Sequence, residues 1–174
     1  VVFPLVMIGL AFSLMIGDGA SAYLSLKLGE KKKKEAEQGV GNAILLCAIV
    51  SVVFCAITLV FLPQFLNLFG CTDNLKDYAM TYGRIIAIGL PFSIIGTTLN
   101  SIIRADGSPK YSMMSMVSGA VLNTILDAIF IFGLHKGVEG AAIATVISQI
   151  FTFILNVAYI KKFKSIKLTK ESFK

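Results

Sequence analysis

The chain has 174 residues, 56% of them hydrophobic and 15% charged, with a formal net charge of +6 and a mean hydropathy of +0.81. That balance is too apolar for a water-soluble domain of ordinary composition, so its natural solvent is lipid. Cys47, Cys55 and Cys71 form no CxxC pair, and the lone His135 has no nearby carboxylate but Glu139. These spacings exclude a disulfide framework, a zinc site and a Ser/His/Asp triad, leaving the cysteines as small apolar residues.

Five apolar runs are each long enough, at 1.5 Å per residue, to cross a hydrocarbon core of about 30 Å. They are continuous rather than alternating, which predicts helices and not the strands of an outer-membrane barrel. The first covers residues 1–26 and carries Asp18 between two glycines near its end, where water reaches it; a helix-end or inner-cavity role fits it better than a coupling role. The chain opens VVFPLVMIGL, with neither an initiating Met nor a basic leader, so it reads as an excerpt. The lysine run that follows, KLGEKKKKEAEQ, lacks interleaved aromatics and adjoins a span, so it reads as a loop touching anionic lipid heads rather than nucleic acid.

The second run covers residues 39–62, and the third residues 78–103, with Pro91 predicted to bend it. After it, Ala105-Asp106-Gly107-Ser108-Pro109 has turn chemistry, with Ser108 as the helix N-cap and Pro109 as the first helical position of the fourth run, 111–134. A polar break at 133–140 precedes the fifth run, 140–160.

Small and polar residues lie along one face of three of these helices. In the fourth, Ser115, Gly119, Asn123 and Asp127 recur every four residues; the third carries Gly89, Ser93, Gly96, Thr97 and Asn100, with Tyr82 about two turns earlier. The fifth carries Ala141, Ala144, Thr145 and Ser148 beside Gln149. For Ser115, Gly119, Gly89, Ala141 and Ala144 the reading is close helix packing. Asp127 is different, because a carboxylate near the bilayer centre costs about 2.5–3.5 kcal/mol and must hold a proton, bind a cation or pair with a base. No Lys or Arg lies at comparable depth in the spans. Desolvation favours proton uptake there, while oxygens from Asn100, Asn123 and Thr145 would complete a hard-cation site for Na+; the sequence leaves both open.

Of the 16 Lys and Arg, all but Lys76, Arg84 and Lys136 fall on one side of the predicted membrane. The positive-inside rule puts that side, with its Lys-rich loops, in the cytoplasm of a multi-pass protein of the cell membrane.

The segments GDGASAYLSLKLGEKKKKEAEQ, LNSIIRADGSPKYSM, NTILD and GVEGAAIATVISQ occur in an order that resembles the multidrug and toxic compound extrusion (MATE) family of cation-coupled antiporters, and within it a MepA-like bacterial subgroup. They look like the second helix and its basic loop, the Arg-x-x-Gly loop, the Asn-x-x-x-Asp of the fifth helix and the Gly-x-x-Gly-Ala-Ala opening of the sixth. The resemblance implies an all-α membrane fold in which residues 1–174 form part of the N-terminal lobe, helices two to six of twelve. One further span ahead of Val1 and six behind Lys174 are then expected, including the C-terminal lobe.

Carried over residue by residue, the lobe's cation site falls on Asp127 and Asn123, completed by Tyr82, Asn100 and Thr145. The implied activity is export of amphipathic or cationic small molecules in exchange for H+ or Na+, with no enzymatic step and no cofactor beyond that ion. Phe92, Met113, Met116, Phe130 and Gln149 are expected to line the substrate cavity, packing being their alternative role. Two rival readings remain: a lipid-linked oligosaccharide flippase of the same superfamily, which commonly carries several cations in its cavity, and a membrane scaffold without transport. An intramembrane enzyme is disfavoured by the isolation of His135 outside the spans.

Overall fold

Backbone N–H and C=O groups find no water in a bilayer core, so a spanning segment satisfies them within its own helix. The computed structural model describes residues 2–173; Val1, where the first predicted span begins, and Lys174, the last of the basic residues, lie outside the described residues. The helices are α1 (Phe3–Gly29), α2 (Lys33–Val60), α3 (Leu62–Leu68), α4 (Asp73–Ala105), α5 (Pro109–Asp127) and α6 (Gly137–Ile160). A π-helical turn, Ala128–Gly133, prolongs α5, and a short 3-10 turn, Lys170–Phe173, is the last described element. Among the described residues there is no strand, and α1, α2, α4, α5 with its π turn, and α6 are long and apolar enough to cross a membrane. The chain is an all-α, multi-pass membrane protein.

The helices outrun their apolar stretches, α2 and α4 most of all: α2 begins at Lys33, ahead of residue 39, and α4 at Asp73, ahead of residue 78. Hydropathy marks the lipid-embedded part of a helix, not its polar ends. The small helix α3 was not anticipated; Pro63 sits in its first turn, and Leu62 and Leu66 are fully buried.

The central helix is α4, which packs against α1, α2, α3, α5 and α6. Close approach depends on small residues. A Cβ on Gly17 of α1 would meet the Thr98 backbone at 3.0 Å, one on Gly89 of α4 would meet Val146 and Gln149 of α6, and one on Gly119 of α5 would meet Thr152. Thr98 ties three helices together: its hydroxyl donates to the Ser13 carbonyl at 3.1 Å and accepts from the Cys47 thiol at 3.1 Å. On α2, Leu45, Leu46, Ile49, Val52 and Val53 are exposed, as expected of a lipid-facing side.

Pro91 stands inside α4 and has no N–H to offer the Ala87 carbonyl one turn earlier. The Cys55 thiol of α2 donates to that carbonyl at 3.1 Å, so a neighbouring helix supplies the missing bond.

The Ser108–Pro109 boundary falls where the sequence places it, but Ser108 makes no side-chain cap. Its hydroxyl instead pairs with the Tyr159 hydroxyl at 2.5 Å, so the start of α5 keeps its free amides. Beyond α6 the chain runs back across the same end of the bundle. Ile166 is buried among α1, α2 and α4, and the final 3-10 turn rests on α2, where Ser172 leaves no room for a side chain on Gly41. In the first basic loop, Lys27 reaches Glu30 at 2.9 Å and Glu35 at 3.0 Å, and this pairing holds the Glu30 carboxyl below the usual carboxylate range.

Candidate functional site

Asp127 is the last α-helical residue of α5, and the backbone widens into the π turn directly after it. π turns of this kind occur often at functional positions. Its Oδ1 is buried and has no hydrogen-bond partner. A buried acceptor without a donor costs about 1–3 kcal/mol, more when charged, so this oxygen is suited to a proton or a cation.

One turn earlier, the Asn123 amide nitrogen donates to Thr145 Oγ1 of α6 at 3.5 Å, and the Thr145 hydroxyl donates to the Ala141 carbonyl at 2.9 Å. With its nitrogen turned to Thr145, the Asn123 carbonyl oxygen is left for another donor or a cation. Tyr82 of α4 is half-buried and within electrostatic reach of the Asp127 carboxylate. Asp127, Asn123, Thr145 and Tyr82 therefore share one region between α4, α5 and α6.

Asn100 bonds to none of them, although it lines the same cavity as Asn123 and Thr145. Its amide nitrogen donates to the Ser112 carbonyl at 3.1 Å and to Ser115 Oγ at 3.3 Å, and its carbonyl oxygen accepts from the Ser112 hydroxyl at 2.6 Å. The reason is depth. A short loop joins α4 to α5, so Asn100 near the end of one lies opposite the start of the other, roughly 27 Å along the helix from Tyr82. An i, i+4 stripe reports which face residues share, not which level of the next helix they meet.

A cavity of about 550 Å³ opens between α1, α4, α5 and α6. Leu10, Leu14, Phe92 and Met116 form apolar wall, while Asn100, Asn123, Thr145, Ser148 and Gln149 form a polar strip; Asp127, one turn beyond Asn123 on α5, is not part of the lining. Gln149 Oε1 is buried and unpartnered, a second acceptor awaiting a donor. Phe92, Met116 and Gln149 thus lie where a cavity wall was expected. Met113 and Phe130 do not: Met113 is 61% exposed, one turn nearer the loop, and Phe130 packs in the π turn against Gly140.

Sequence reasoning missed Arg104, which also lines the cavity. Extending the polar stripe of α4 by one turn beyond Asn100 reaches it. Its guanidinium donates to Ser101 Oγ at 3.1 Å, and the Ser101 hydroxyl donates to Asp18 Oδ1 at 3.0 Å. Asp18 is thus an exposed residue at the basic end of this cavity, far from Asp127.

A model of the MatE family matches residues 1–129. The chain is 31% identical over 159 residues to the multidrug export protein MepA of Staphylococcus haemolyticus, covering 91% of this chain and 35% of that one. It is 28% identical over 166 residues to the probable multidrug resistance protein YoeA of Bacillus subtilis, covering 93% and 36% respectively. The chain therefore spans little more than a third of the length of these relatives. Among solved structures, it superposes on the inward-facing conformation of a multidrug resistance MATE family transporter of the MOP superfamily with a TM-score of 0.92 and 27% identity, over 99% of this chain and 40% of that one. The outward-facing conformation of such a transporter also gives a TM-score of 0.92 at 27% identity, over 99% and 39%.

Proposed function

This chain belongs to the MatE family, and from that premise we propose that it forms helices two to six of the N-terminal lobe of a transporter exporting amphipathic or cationic small molecules in exchange for H+ or Na+. The observation that carries the reading is the unpartnered Oδ1 of Asp127, one turn from the Asn123–Thr145 pair that lines a mostly apolar cavity. A proton there neutralises the carboxylate; a Na+ ion there would draw on oxygens of Asp127, Asn123 and Thr145, the hard donors such an ion prefers. One charge crossing the membrane supplies about 2.3 kcal/mol per 100 mV, enough to drive uphill export.

Alternating access is supported by the equal fit of the chain to inward-facing and outward-facing relatives. A lobe that keeps its shape in both states moves as a unit, and the cavity then opens by rocking against the second lobe. The apolar wall favours amphipathic cargo. Arg104 is the one cationic side chain on it among the described residues, which favours export over a flippase with several cavity cations. The Lys-rich loops face the cytoplasm in this reading.

The test uses the full-length transporter in vesicles under an imposed H+ or Na+ gradient. Adding an exported cationic dye is expected to accelerate collapse of one of the two gradients and leave the other unchanged. No dye-dependent flux of either ion contradicts antiport.

A further inference from the structure

A second cavity, of about 460 Å³, lies at the basic end of the bundle, outside the cation and cargo region. Three lysines wall it: Lys110 from the first turn of α5, and Lys162 and Lys164 from the segment after α6. None of the three makes an ion pair among the described residues, and no acidic residue lines the cavity. Like charges gathered this way repel unless an anion sits among them. The uncapped start of α5 adds the partial positive charge of its free amides at the same place.

The lysines are held there by a built anchor. Asp106, 2% exposed, accepts the backbone N–H of Lys164 at 2.8 Å and of Ser165 at 2.9 Å, and the Tyr159 hydroxyl at 2.8 Å. Tyr159 in turn engages Ser108, the residue that would otherwise cap α5, and the rings of Tyr111 and Tyr159 pack at 4.8 Å between centroids in the cavity wall. The buried carboxylate thus fixes the backbone that carries Lys164, with Lys162 two residues before it, and leaves the helix start open towards the lysines.

We propose that this cavity binds a phosphate group, and specifically the headgroup phosphate of an anionic membrane lipid seated at the basic ends of α5 and α6. Basic pockets between membrane helices recognise lipid headgroups in this way. The site stands independently of the transport reading.

The probe is phosphatidylglycerol, its retention by the detergent-solubilised full-length transporter measured by native mass spectrometry against phosphatidylcholine. Replacing the three lysines together (K110Q, K162Q, K164Q) is expected to weaken phosphatidylglycerol retention roughly tenfold or more and to leave phosphatidylcholine unchanged. An equal charge change at the opposite end of the bundle (K76Q, R84Q, K136Q) is expected to change neither, and Asp106→Asn is expected to lower retention with every lysine in place. Failure of millimolar inorganic phosphate to displace the lipid identifies the bound headgroup as the source, whereas displacement identifies soluble phosphate as an equal ligand of the same site. Equal retention by the wild type and the K110Q/K162Q/K164Q variant, or an equal loss in the K76Q/R84Q/K136Q control, overturns the proposal.

Discussion

Asp106 and Asp127 are both carboxylates set into an apolar helical bundle, and they are treated in opposite ways. Asp106 receives two backbone N–H groups and a tyrosine hydroxyl, while Asp127 keeps a buried oxygen with no donor at all. In a low-dielectric setting an acceptor with all its donors in place acts as a fastener, and one without them is poised for a ligand. Residue type and burial alone do not separate the two; the count of donors does.

Four substitutions probe that contrast. Asp106→Ala strands three donors at once and is expected to cost about 3–5 kcal/mol, seen as a large fall in melting temperature or in folded yield of the full-length protein. An unchanged melt would mean that the fastener is dispensable. Asn100→Ala removes the strut to Ser112 and Ser115 and is expected to cost about 1–3 kcal/mol while the ion dependence of export per folded molecule is unchanged. If the ion dependence is lost instead, Asn100 belongs with Asp127 after all. Thr145→Val keeps the shape but takes away the Asn123 partner; about 1 kcal/mol of support for the cation site disappears, a severalfold weaker dependence of export on the ion. Cys55→Ala removes the weak donor to the Ala87 carbonyl below Pro91, and a stability change below about 1 kcal/mol is expected in a thermal melt.

Much of the fold was legible because lipid imposes a simple code. Apolar runs of sufficient length must become helices, and five did. What the code omits is everything polar at the ends. The polar starts of α2 and α4, the seven-residue α3 and the π turn after Asp127 carry no distinctive hydropathy signature.

The candidate site was legible in part for a related reason. The stripe Ser115, Gly119, Asn123, Asp127 correctly marks the face that α5 turns to its neighbours, since Gly119 meets Thr152 and Asn123 meets Thr145. Depth was not legible. Asn100 shares the polar character of that stripe but meets α5 near its start, and Met113 lies a turn away from the wall that Met116 joins. Ser108 shows the same limit at a helix end: its position is that of a cap, yet a tyrosine distant in sequence claims its hydroxyl.

The most direct test of the central claim is Asp127→Asn in the full-length transporter, with gradient-driven export measured in vesicles alongside the melting temperature. The substitution is nearly isosteric and breaks no hydrogen bond to the buried Oδ1, so folding and membrane level are expected to be unchanged while ion-driven export is abolished. Export at the wild-type rate from a normally folded Asp127→Asn protein would contradict the assignment of Asp127 as the coupling carboxylate.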